Sequence, residues 1–106
     1  MLNVRYFAAA TVAVALALIS SPTFASPELA KAKNCGACHH AERKMLGPGF
    51  KMIAERYAKD EGAVKLLSEK IVKGGKGVWG ATPMPPQPAV SPADAETLAK
   101  WILTLQ

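Results

Sequence analysis

Every cysteine and every histidine of this 106-residue chain falls between Cys35 and His40, inside the run NCGACHH. That crowding limits what the chain can fold into. Two cysteines allow at most one disulfide, and a chain this short buries too little apolar surface to be comfortable without a staple. If both thiols are committed elsewhere, a bound cofactor must supply the missing stability.

The first quarter of the chain does not read as part of a domain. Arg5 precedes an almost wholly apolar stretch from Phe7 to Ile19, and small residues follow at Thr23 and Ala25. Basic, apolar and small-residue regions in that order describe a cleavable secretory signal. The apolar run is about a dozen residues, short of the roughly 20 a membrane span needs. An uncleaved anchor is the competing reading. No cysteine directly follows the run, so lipoprotein anchoring is not indicated. We expect residues 1–25 to be the signal and residues 26–106 the mature domain, in the periplasm and without stable membrane insertion. Thirteen Lys and Arg against eight Asp and Glu give a net charge of +5, which suits an acidic partner. No basic cluster is interleaved with aromatics, so nucleic acid is not the expected one.

The mature segment reads as helices and loops without strands. In SPELAKAKN, Ser26 caps, Pro27 takes the first helical position and Glu28 lies in the first turn. After the break at GPGF, Phe50, Ile53, Ala54 and Tyr57 recur at helical spacing, predicting a helix over 50–58. Val64, Leu67 and Ile71 predict another over 61–73, closed by Gly74 and Gly75. The segment GGKGVWGATPMPPQPAV is too rich in Gly and Pro for a regular element, with GGKG a flexible approach to Trp79. Ser91, Pro92 and Asp94 then open a last helix whose apolar face is Ala95, Leu98, Ile102 and Leu105. The expected fold is a compact all-α domain of about four helices.

Cys35-Gly36-Ala37-Cys38-His39 fits C-x-x-C-H, the attachment signature of a c-type haem. Two thiols reach neighbouring edges of one flat ring, and the next residue turns its imidazole onto the ring face. A thioredoxin-like pair would sit in a βαβ pattern, and no strands are visible. A structural zinc site needs four spread ligands, whereas these four residues are bunched. An exported dithiol and a plain disulfide remain as alternatives.

An iron held by His39 has a second face to fill, and the mature segment offers Met45, Met52 and Met84. Met45 is too near His39 to reach the far side economically, and Met52 fits a core or lining role. Met84 lies far along the chain in TPMPP, where Pro83, Pro85 and Pro86 fix backbone angles. It is the candidate sixth ligand, against the alternative of a packed residue in a Pro-rich turn. His40 is read as a solvated surface residue.

Taken together, CGACHH, LGPGF, GVWGATPMPP and LAKWIL resemble the small bacterial class I monohaem cytochromes c, the short-loop periplasmic kind associated with nitrite reductases and terminal oxidases. The resemblance implies a class I fold around one covalent haem c, with thioethers at Cys35 and Cys38 and axial ligands His39 and Met84. It further implies that the Pro48 carbonyl accepts from the second nitrogen of His39. Lys70 and Trp79 match positions near a haem propionate, and Trp101 matches a core aromatic. Gln87 stands where related chains often place an Asn that donates near the methionine sulfur, and an additional proline follows it.

With both axial positions filled, the expected function is one-electron transport between ferric and ferrous states, without enzymatic turnover and at positive potential. The expected donor is a quinol-oxidising complex, and the acceptor a nitrite reductase, peroxidase or terminal oxidase. The carrier is expected to be a monomer. A haem peroxidase or gas sensor would require Met84 to leave the iron; a thiol oxidoreductase would require no haem at all.

Overall fold

A computed structural model describes residues 10–16 and 26–106. The segment expected to be the export signal lies outside them apart from residues 10–16. Four α-helices follow in order: α1 (Ser26–Ala32), α2 (Phe50–Arg56), α3 (Ala63–Lys73) and α4 (Pro92–Ile102), with a 3-10 turn at Cys35–Ala37 between α1 and α2. Among the described residues no strand forms; one isolated bridge joins Gly75 to Met84. No described helix is long and apolar enough to cross a membrane.

Local chemistry accounts for most element ends. The Ser91 hydroxyl accepts from the Asp94 amide at 3.1 Å, and Pro92 occupies the first helical position of α4, where its missing N–H costs nothing. Glu28 and Lys31 sit at the helix ends of α1 that their charges suit. Two boundaries differ from expectation. Helix α2 stops at Arg56 because Tyr57 leaves helical geometry at φ −104°, ψ 13°. Helix α3 begins at Ala63 because the Asp60 carboxylate accepts from the Gly62 amide at 2.9 Å, holding residues 60–62 in a turn.

Helix α4 is the organising element. It packs against α3, α1 and α2, and the small buried residues Ala95 and Ala99, both 0% exposed, let its neighbours come close. One face joins Leu29, Ala30 and Val90 around Leu98. The other joins Phe50, Ile53 and Leu67 around Ala99 and Ile102. Trp101 is half-buried and packs on both groups, in keeping with a core aromatic. Leu105 lies past the helix end but still packs on the second group. Among the described residues Leu98 is the only large side chain with less than 2% exposure. The dry core is therefore thin, and five of its members, Phe50, Ile53, Leu67, Leu98 and Ile102, also line a cavity.

Candidate haem site

The turn at Cys35–Ala37 builds the first wall of that cavity. Asn34 enters it in the left-handed region, φ 58°, ψ 27°, a conformation Asn tolerates better than most residues. The His39 and Cys38 amides both donate to the Cys35 carbonyl, at 3.0 and 3.2 Å. This tight winding turns Cys35, Cys38 and His39 into the same cavity. Both cysteines are free and half-buried. Burial pushes the Cys35 thiol above its ordinary pKa, outweighing a backbone hydrogen bond that acts the other way. A dithiol nucleophile needs the opposite shift, so Cys35 is a poor match for thiol–disulfide exchange.

His39 is oriented from three sides. Its Nδ1 lies 2.7 Å from the Pro48 carbonyl; a carbonyl only accepts, so Nδ1 donates and the neutral ring leaves a lone pair on Nε2. Its ring stacks on Phe50 at 5.3 Å and 22°, and Phe50 in turn meets Trp101 edge-on at 63°. Across from these, a Cβ on Gly47 would lie 2.7 Å from His39 Cε1. The stretch LGPGF thus does more than interrupt the helices. Gly47 admits the imidazole, Pro48 orients it and Phe50 supports it. Gly49 has its own constraint, since a Cβ there would meet the Glu42 carbonyl at 2.5 Å.

Another part of the lining comes from the Gly- and Pro-rich segment. Met84 exchanges two backbone hydrogen bonds with Gly75, and among the described residues it is the only methionine lining the cavity. Met45 is 44% exposed, and Met52 is half-buried away from the cavity. Gly75, expected to be part of a flexible approach, is held in this pairing. Lys70, Trp79 and Gln87 also line the cavity. A Cβ on Gly75 would lie 2.9 Å from Lys70 Cδ, so the glycine leaves room for the lysine stem. The Gln87 amide nitrogen donates to the Pro85 carbonyl at 3.0 Å.

Several contacts escaped sequence reasoning: Gly47 and Phe50 around His39, the Lys44 ammonium donating to the Trp79 carbonyl at 3.3 Å, and the Arg56 guanidinium 4.9 Å from the Trp79 ring centre. The glycines flanking Pro48 were the only visible signal. His40, expected at the surface, does not line the cavity. It is half-buried, and its Nδ1 accepts from the Glu42 and Arg43 amides at 3.0 and 3.2 Å, closing the next turn.

The cavity measures about 380 Å³, within the usual range for cofactor sites. Leu67, Leu98 and Ile102 line it together with the thiols of Cys35 and Cys38 and the imidazole of His39, whose Nδ1 faces the Pro48 carbonyl. Among the described residues no three His, Cys, Asp or Glu side chains form a group that could hold a metal ion. Two thiols and an imidazole on one wall, and a thioether within the same apolar chamber, fit a covalently attached haem.

The site and the helical frame therefore define a small all-α domain made to enclose one haem. The family model described as Cytochrome c matches residues 26–106, and the chain belongs to the cytochrome c family. It is 48% identical over 96 residues to cytochrome c-552 of Nitrosomonas europaea, covering 91% of this chain and 93% of that protein. It is 47% identical over 93 residues to cytochrome c-552 of Hydrogenobacter thermophilus, covering 88% and 94%. The crystal structure of wild-type Nitrosomonas europaea cytochrome c552 superposes with a TM-score of 0.74 at 52% identity, covering 76% of this chain and 99% of that one. The fold is that of the small class I monohaem cytochromes c, the cofactor is one covalent haem c with its iron, and the chain is an electron carrier.

Proposed function

We propose that residues 26–106 work in the periplasm as a monomeric one-electron carrier in which His39 and Met84 are the axial ligands and Cys35 and Cys38 the thioether anchors. The observation that carries this reading is the shared cavity. His39 enters it with its proton held on Nδ1 by Pro48, and Met84 enters it from a backbone pinned at Gly75. When bound, the haem supplies reversible one-electron chemistry at its iron. Everything else falls to the chain. Pro48 keeps the His39 tautomer and tunes its basicity, Phe50 and Gly47 fix the ring plane, and Leu67, Leu98 and Ile102 give the chamber apolar lining.

Filling both axial positions with protein groups leaves none for substrate or oxygen, which favours a carrier over a peroxidase, a gas sensor or any other enzyme. Methionine ligation and an apolar chamber both favour a positive potential. Cleavage after Ala25 and export accord with the basic, apolar and small-residue order of the leader.

The donor and acceptor classes are a quinol-oxidising complex on one side and a nitrite reductase, peroxidase or terminal oxidase on the other. Exposed Met45, Leu46 and Val78 offer a small apolar contact, with Lys44, Lys51, Lys73 and Lys76 nearby as steering charges. The test is a redox titration of the purified holoprotein followed by carbon monoxide. A single reversible one-electron wave at positive potential, with no carbon monoxide adduct of the reduced protein, is expected. Ready adduct formation would contradict stable ligation and favour the sensor or peroxidase.

A further inference from the structure

The loop between Gly75 and Met84 carries Trp79, and no residue from Lys76 to Pro83 makes a backbone–backbone hydrogen bond. Gly77 and Gly80 flank Val78 and Trp79 at φ 86° and 124°, so local backbone preferences do little to hold the indole. Its position as a cavity wall depends on side-chain contacts: burial against the Phe50 group, Lys44 on its carbonyl, and Arg56 over its ring.

Arg56 is in the last turn of α2, where a cation suits the helix dipole. Its guanidinium lies 4.9 Å from the Trp79 ring centre and 6.0 Å from that of Tyr57, within cation–π range of both, with Trp the stronger partner. Among the described residues the only ion pair is Glu96–Lys100, so no carboxylate neutralises Arg56. Tyr57 and Trp79 both line the cavity.

We propose that Arg56, stacked over Trp79, is a positioning residue of the redox site: it holds the indole as a cavity wall and keeps an unpaired positive charge behind it that favours the reduced state. Reduction adds one negative charge to the site, so a fixed cation nearby stabilises the ferrous form more than the ferric form. Because Arg56 is exposed, the effect is modest and sensitive to salt, with a Debye length of about 10 Å at 0.1 M. The proposal rests on the one-electron reading above.

The test uses wild-type holoprotein, Arg56→Gln and Arg56→Lys, with midpoint potentials measured at low and high ionic strength. Arg56→Gln is expected to shift the potential downward at low salt, with the gap narrowing at high salt, while Arg56→Lys stays near wild type. In a Trp79→Leu background, which releases the stack, the Arg56→Gln shift should shrink. An unchanged potential in Arg56→Gln overturns the proposal. So does an equal, salt-independent shift in Arg56→Gln and Arg56→Lys, which would assign the contact to packing alone. Loss of methionine ligation is read separately, from the ferric near-infrared band of the wild type; if that band is missing, the ligation is wrong, and the salt-dependent shift still decides the role of Arg56.

Discussion

Gly75 and Met84 grip each other by two backbone hydrogen bonds, Gly75 N–H to the Met84 carbonyl at 3.0 Å and Met84 N–H to the Gly75 carbonyl at 2.8 Å. The residue that presents a thioether to the cavity is therefore fixed at both its main-chain polar groups. Pro83 and Pro85 on either side restrict φ as well. The backbone at Met84 is thus held by the chain's own contacts.

Gly74 is the weak point of that arrangement. It adopts φ 76°, ψ −179°, a region essentially reserved for glycine, and a Cβ there would come within 2.5 Å of the Met84 carbonyl. Gly74→Ala should cost about 2–4 kcal/mol from strain and crowding together. In denaturant titrations of the ferric holoprotein, the methionine–iron band should disappear before the helices unfold. Coincident transitions with no loss of stability would show that the pairing is dispensable.

Gly47→Ala tests the other ligand. Its methyl would displace the His39 ring from 2.7 Å contact, and overpacking of this kind costs about 1–3 kcal/mol. Moving the ring weakens the bond from Nδ1 to Pro48 and makes the imidazole less basic. A lower denaturation midpoint and an upward shift in potential are expected. A variant equal to wild type in both would mean that the chamber has more slack than the contact allows.

Covalent attachment should be a condition of folding. Leu98 is the only large side chain among the described residues with less than 2% exposure, and several of the best-packed apolar residues border the cavity. Cys35→Ala combined with Cys38→Ala should leave a largely unfolded chain. Far-ultraviolet circular dichroism during heating checks this, and a cooperative native-like transition in the haem-free protein would count against it.

Docking should respond to charge. Lys76 lines the cavity, and Lys73 ends α3 beside it. Long-range attraction to an acidic acceptor raises association rates and is screened by salt. Stopped-flow electron transfer should slow with rising ionic strength, and Lys73→Gln with Lys76→Gln should flatten that dependence. A rate indifferent to both would leave the exposed apolar residues Met45, Leu46 and Val78 to guide docking.

Sequence legibility followed the range of the interactions involved. The start of α4 could be read at Ser91, Pro92 and Asp94 because capping is settled within four residues. The end of α2 and the start of α3 moved by two residues each, since Tyr57 and the Asp60 carboxylate shape the turn between them. Cys35, Cys38 and His39 were legible as a motif because one ring imposes their spacing. The contacts that orient them were not. Gly47 against His39, Gly75 against Met84 and Arg56 against Trp79 each join segments that only the folded chain brings together. His40 looked like a surface residue, and only the winding of residues 40–43 shows its Nδ1 closing a turn.

The ligation itself has a direct spectroscopic readout. The near-infrared absorption of the ferric holoprotein should contain the weak sulfur-to-iron band in wild type. Met84→Ala should lose it while the haem stays attached through Cys35 and Cys38, and its potential should fall markedly. Persistence of the band in Met84→Ala would contradict the account, because a different group, such as Met45 or Met52, would then hold the iron.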